Sequence, residues 1–222
     1  MDKTVPAGAA ILLDDIRDTE VGTAGRAGYD VIYANRQDKL SKPVTSMTIA
    51  ELQAAQAGNW PAKSTASGGY QFMRATLGGL RKELKLRDSQ VFTPDLQDRL
   101  GYHLLKRRGY ETWMAGKLSD TGFALNLAKE WASFPVLVPV QGQRRWLQRG
   151  QSYYEGDKLN KALVSPEHVE ALLKRAKAAG NAPAPTTPVT PSEPVSEAPE
   201  SLVAAFLRML TAFLDLLLKR RP

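Results

Sequence analysis

The feature that most limits how this chain can fold is a change of composition after Gly180. Residues 181–200 hold six prolines among Thr, Ser and three Glu, with no aromatic residue. Each proline fixes φ and removes a backbone donor, and so little apolar surface cannot offset the entropy of ordering the segment. It reads as an extended linker, able to stretch to about 60 Å at ~3.1 Å per residue. Three parts are therefore predicted: a folded domain over 1–180, the linker over 181–200 and a separate C-terminal module over 201–222. The first part is long enough to bury a core of its own.

Charge and inventory then remove several function classes. The chain has 30 Lys and Arg against 23 Asp and Glu, a formal charge of +7. Residues 101–180 hold 13 basic against 7 acidic side chains, with clusters at Lys106-Arg107-Arg108 and Arg144-Arg145. Such an excess is either a solvated surface or an attraction to an anionic polymer or membrane. No basic recognition helix or RNA-binding aromatic strand accompanies it, so no nucleic-acid partner is expected. With no cysteine, disulfides are excluded; His103 and His168 are not a close pair, so a zinc site lacks its ligands, and neither sits near a G-x-S-x-G elbow that a serine triad would use. No glycine-rich phosphate loop is present. Neither a metal nor an organic cofactor is expected.

Within 1–180 the pattern is mostly helical. Ala7–Thr19 places Ile11, Leu12, Leu13 and Ile16 inward, and Thr48 with Glu51 forms a capping box that opens a second helix. Gly69–Leu84 has helical apolar spacing, Thr93-Pro94 supplies a cap and a first-turn proline, and Ser119 caps a helix through Ser133. Ser165-Pro166 starts another, which Gly180 is expected to end. Tyr29–Ala34, rich in β-branched and aromatic residues, is the strand candidate. The fold class expected is α+β, mostly helical with a small β element, plus a C-terminal helix.

Three places could carry chemistry. Glu20 lies one turn after Ile16, on the apolar face of the first helix, where burial and the negative helix end would both raise its pKa. A carboxyl kept protonated near neutrality can donate a proton to a glycosidic oxygen; a Glu at a helix end is also commonly a solvated surface group. In Ser64–Met73 the small residues Ser67, Gly68 and Gly69 allow a backbone to approach a ligand, and Tyr70 and Gln71 could stack on a sugar and bond its hydroxyls. Tyr70 is equally suited to the core. Trp131, in the segment Asn126–Pro135, is either core or a sugar platform.

Taken in order, these segments resemble the lambda-type phage endolysins, lytic transglycosylases of the lysozyme superfamily. In that family a helix ends in the catalytic Glu, and a loop leads to a Gly-Tyr-Asp-Val-Ile stretch. Here Glu20 precedes Gly28-Tyr29-Asp30-Val31-Ile32. The family's Gly-Arg-Tyr-Gln turn is matched by Gly68-Gly69-Tyr70-Gln71, and its Trp-Ala-Ser-Leu-Pro segment by Trp131-Ala132-Ser133-Phe134-Pro135. The resemblance covers about residues 8–175. It departs in a shorter loop between Glu20 and Gly28 and in Gly69, which stands where the family has arginine.

The resemblance implies a lysozyme-like fold and cleavage of the MurNAc-β-1,4-GlcNAc bond of peptidoglycan. Glu20 would be the catalytic acid and base, with Asp30, Ser67, Gly68, Gly69, Tyr70, Gln71, Trp131 and Ser133 binding the substrate. One Glu suffices for transglycosylation, because the C6 hydroxyl of N-acetylmuramic acid attacks its own anomeric carbon. Asp30 is the rival second carboxylate; if it faces the cleft, a hydrolytic muramidase is the alternative. A non-catalytic phage structural or wall-binding protein is the third reading.

The C-terminal module is predicted from its own pattern. Leu202–Leu218 is interrupted only by Arg208, Thr211 and Asp215, and Lys219-Arg220-Arg221 follow. As a helix it would span about 26 Å, against ~30 Å for a hydrocarbon core. Its polar residues form one narrow stripe, and the remaining apolar surface calls for a membrane surface, a second copy or the chain's own domain. Anionic lipid or lipopolysaccharide contact, or a homo-oligomer through 201–221, is the expected partnership. The apolar run Val5–Leu13 lacks the basic start and cleavage site of a Sec signal, so cytoplasmic synthesis followed by action at the periplasmic wall is expected.

Overall fold

The computed structural model describes residues 1–156 and 160–182. Apart from Asn181 and Ala182, the expected linker and C-terminal helix lie outside the described residues. Seven α-helices occur among them: α1 (Ala7–Val21), α2 (Ile49–Ala57), α3 (Arg74–Glu83), α4 (Pro94–Arg107), α5 (Tyr110–Met114), α6 (Asp120–Glu130) and α7 (Pro166–Asn181). Two short strands, β1 (Val140–Gln141) and β2 (Trp146–Leu147), pair antiparallel with Val140 opposite Leu147. The architecture is mostly helical with one small hairpin.

Local chemistry explains most boundaries. Thr48 accepts from the Glu51 amide while the Glu51 carboxylate takes the Thr48 amide, a reciprocal cap of the kind that contributes about 1 kcal/mol. Thr93 and Ser165 cap α4 and α7, each followed by proline in the first turn. Leu12, Leu13 and Ile16 of α1 are fully buried against Val169, Leu172, Leu173 and Ala176 of α7 and against α4. Trp113 of α5 stacks on Phe123 of α6 with ring centres 4.5 Å apart. Among the described residues, no helix is long and apolar enough to cross a membrane.

Four expectations are corrected. Tyr29–Ala34 is not a strand: it joins the 3-10 turns Arg26–Asp30 and Tyr33–Asn35, with one isolated bridge between Ile32 and Ser67. β-Branched residues need a ladder partner, and the chain opposite turns away at Gly68. The hairpin lies instead at Val140–Leu147. Helix α3 starts at Arg74, because the residues before it are used in a closed turn. α6 stops at Glu130, where Trp131 takes extended backbone angles, and α7 continues past Gly180 to Asn181. Helix α5 was not foreseen; it is one turn long, with no capping signal.

Candidate active site

The site is built where three segments meet: the last turn of α1, the turn before α3 and the chain leaving α6. α1 runs two residues beyond its predicted end and stops at Gly22, whose left-handed φ of 76° lets its amide bond back to the Asp18 carbonyl. Glu20 therefore sits inside the final helical turn, half-buried.

Its carboxyl opens on a narrow cavity of about 90 Å³ lined by Tyr70, Gln71, Phe72, Glu130, Trp131 and Ala132 among others. Ser133 Oγ donates to Glu20 Oε1 at 2.5 Å. Among the described residues, no Lys, Arg or His pairs with Glu20. Burial raises its pKa above the ordinary 4.5, and the Ser133 hydroxyl, which favours the carboxylate, offsets part of that. A carboxyl in this state is a proton donor at higher pH than a solvated one.

The turn from Ser67 to Phe72 is closed by two backbone bonds between its ends, Ser67 N to Phe72 O at 3.2 Å and Phe72 N to Ser67 O at 2.9 Å. Gly68 (φ 74°) and Gln71 (φ 50°) make the tip. The Gln97 side chain of α4 clamps it, its Oε1 accepting from the Gly69 amide and its amide donating to the carbonyls of Tyr29 and Phe92. Gln71 spends its own amide on the carbonyls of Gly68 and Val31. A Cβ on Gly69 would lie 2.7 Å from Cδ of Arg17. The position where the family resemblance expects arginine thus abuts a buried arginine from α1.

The other candidates sort into two groups. Glu20, Tyr70, Gln71 and Trp131 line one cavity, and Ser133 bonds to Glu20. Tyr70 and Trp131 are only 2% and 3% exposed, which makes them core walls and not free stacking platforms. The Trp131 indole points its N–H at the Tyr70 carbonyl, 3.4 Å away. Ser67 is fully buried and bonded to Gln56 and the Phe72 carbonyl, so it is part of the turn's frame. Asp30 does not line the cavity; its Oδ1 accepts from the Thr45 amide at 2.9 Å and ties down the loop before α2.

Two features were missed from sequence. Glu130, the last residue of α6, lines the same cavity as Glu20, and Arg108 Nε donates to it at 2.6 Å. Behind the site, Asp98 of α4 is fully buried and accepts from the Tyr29 and Tyr70 hydroxyls at 2.7 and 2.6 Å and from the Asp2 amide at 2.7 Å. Arg17 donates to both tyrosines and to the Ala24 carbonyl. Burial first, and Asp98 next, push both phenols upward, so they stay protonated donors. The signal was available: Asp98 falls on the Gly101/Leu105 stripe of α4, and Arg17 one turn after Leu13. Among the described residues, no group of three His, Asp or Glu side chains is placed to hold a metal ion.

A family model described as endolysin matches residues 10–156. Among solved structures, bacteriophage lambda lysozyme in complex with a chitohexasaccharide is similar at 19% identity and a TM-score of 0.48, with 78% of this chain and 95% of that chain covered. No curated protein matches.

Proposed function

As a member of the endolysin family, to which this chain belongs, the protein is a lysozyme-like, peptidoglycan-acting enzyme, and we propose that it cleaves the MurNAc-β-1,4-GlcNAc bond by lytic transglycosylation. The observation that carries this reading is Glu20: a half-buried carboxyl at a cavity wall, without a cation among the described residues, and with its pKa raised by burial. Protonated, it gives its proton to the glycosidic oxygen as the C1–O bond breaks, and GlcNAc leaves with a free hydroxyl. The Glu20 carboxylate then takes the proton from the C6 hydroxyl as that oxygen bonds to C1. The product is a 1,6-anhydro ring, no water is consumed and Glu20 is returned protonated. Ser133, donating to one carboxyl oxygen, leaves the other free for the transferred proton and steadies the anion between the two steps.

Hydrolysis is the second reading, and Glu130 is the observation that favours it. It stands on the same cavity as Glu20, whereas Asp30 is occupied by the Thr45 amide. With Arg108 Nε donating to one of its oxygens at 2.6 Å, its carboxyl group is the second one a two-carboxylate glycosidase requires. Mass spectrometry of digested cell wall separates the readings. Anhydromuropeptides support transglycosylation; reducing ends carrying an added water overturn it. No wall clearing by the wild type, with Glu20→Gln alongside, would overturn the enzymatic reading altogether.

The stretch 202–218 supports a further part of the reading on sequence alone: attachment to an anionic membrane surface through an apolar helix with a basic end. Liposome flotation with and without residues 181–222 tests it, and equal recovery of both forms in the unbound fraction would overturn it.

A further inference from the structure

Outside the Glu20 cavity, the loop after Val31 and the loop before the Ser67 turn enclose a groove of about 480 Å³ that the proposed mechanism does not use. Its walls are Tyr33, Arg36, Trp60, Pro61 and Lys63, with Ala34 and Ala62 between them. The volume lies within the range of small-molecule sites, about 300–1,000 Å³.

Three observations show that the groove is shaped. Tyr33 is 42% exposed although it is a large aromatic residue next to the fully buried Ile32. The Trp60 indole N–H is fixed to the Ser64 carbonyl at 2.7 Å, which sets the ring's position. Between Tyr33 and Arg36, Ala34 and Asn35 both hold left-handed backbone angles, φ 59° and 55°. For alanine that conformation crowds Cβ against the following carbonyl, and backbone strain of this kind concentrates at ligand clamps and active sites.

The electrostatics name the ligand class. Among the described residues, neither Arg36 nor Lys63 has a carboxylate partner, so two cations face a groove flanked by two aromatic rings. This combination suits a chain that carries carboxylates together with short aliphatic or amide faces. The groove is also tied to the catalytic cavity. Tyr33 N donates to the Ala66 carbonyl and Gly68 N to the Val31 carbonyl. From Ala66 the chain reaches Gln71, a wall of the Glu20 cavity, within five residues, a Cα separation of about 18 Å at most.

We propose that the Tyr33–Trp60 groove binds the anionic stem peptide of peptidoglycan while the glycan strand lies at Glu20. The inference rests on the glycan-cleaving reading above and deepens it: the enzyme selects peptide-bearing strands over bare ones. Peptides branch from the muramic lactyl group beside the scissile bond, so carboxylates are presented to one side of the strand. Arg36 and Lys63 take those carboxylates, and the two rings cover the alanyl and amide portions.

The test is calorimetric binding of full-length Glu20→Gln protein to two probes: a soluble peptide-substituted glycan oligomer, and the same oligomer stripped of peptide by an amidase. Adding Arg36→Ala with Lys63→Ala, both on the surface, is expected to weaken binding of the first probe about tenfold or more, since two exposed, salt-screened charge contacts are lost together. The stripped probe loses less than about twofold, and the difference shrinks as salt rises. Tyr33→Ala is expected to show the same selectivity by removing ring contact without charge. Equal loss on both probes makes the groove an ordinary glycan subsite and overturns the proposal, as does no loss on either. If Glu20→Gln protein binds only the stripped oligomer, the groove inference fails alone; if it binds neither and the wild type clears no wall, the glycan-cleaving reading fails with it.

Discussion

Glu20, in the last turn of α1, and Asp98, in the middle of α4, are carboxylates enclosed by the same domain in opposite surroundings. Asp98 accepts from two tyrosine hydroxyls and one backbone amide, with Arg17 Nη1 3.7 Å away. Glu20 has one donor, Ser133, and no cation among the described residues. Enclosing either acid removes hydration that must be replaced. At Asp98 the replacement is nearly complete, and the acid holds α1, α4, the Tyr29 loop and the Tyr70 turn together. At Glu20 the loss is left largely unmet and emerges as a raised pKa. The two environments are adjacent, since Arg17 and Glu20 are one helical turn apart and Tyr70 belongs to both. Burial alone therefore does not distinguish the two acids; the absence of a cation among the described residues is what sets Glu20 apart from Asp98.

The comparison breaks most sharply at Glu20 itself. Glu20→Gln keeps shape and hydrogen-bonding capacity but cannot transfer the proton, and wall clearing should fall about 10²–10⁴-fold with thermal stability kept or raised. A variant that retains clearing would remove the acid from Glu20. Asp98→Ala should do the reverse. It strips the Tyr29 and Tyr70 hydroxyls and the Asp2 amide of their shared buried acceptor and leaves Arg17 with Asp14 as its remaining carboxylate; breaking such a buried network costs about 3–5 kcal/mol in urea unfolding, while folded protein at low temperature keeps its activity. An Asp98→Ala protein of wild-type stability would show that the network is not structural.

Gly69→Ala probes the seam between the two environments. Its Cβ would press on Arg17 at 2.7 Å, an overpacking worth about 1–3 kcal/mol, measurable as a lower unfolding midpoint. The smallest effect is expected from Ser133→Ala. Losing the hydroxyl removes a donor that favours the Glu20 carboxylate, so the pKa rises further and the high-pH limb of the activity profile moves to higher pH. An unmoved limb would mean that another group titrates there.

Glu20 also leaves a signature in stability against pH. Its folded pKa lies above the ordinary 4.5, so its contribution is fully present below that value and is lost as pH rises through the folded pKa. Wild-type stability relative to Glu20→Gln should fall as pH rises across that window, and a difference flat with pH would contradict the burial argument.

Much of the frame was legible because its determinants are local. Thr48 with Glu51, Thr93-Pro94 and Ser165-Pro166 are short-range capping chemistry, and all three start helices where the residues say they should. The order Glu20, Gly68–Gln71, Trp131–Ser133 was legible as well, and Glu20, Tyr70, Gln71 and Trp131 line one cavity. The misreadings share one cause. Tyr29–Ala34 has strand composition, yet whether it becomes a strand depends on a partner thirty-odd residues away that turns off at Gly68. Tyr70 and Trp131 look alike as core residues or sugar platforms until their burial is known.

The sequence by itself determined the helical frame and the carboxyl placed on the apolar face of α1, because period and caps act within a few residues. The tertiary structure decided which acids are neutralised. Arg17 reaches toward Asp98 across 81 positions and Ser133 reaches Glu20 across 113, and no local pattern encodes either pairing. Electrostatic environment is a property of distance in space, and only folding sets that distance.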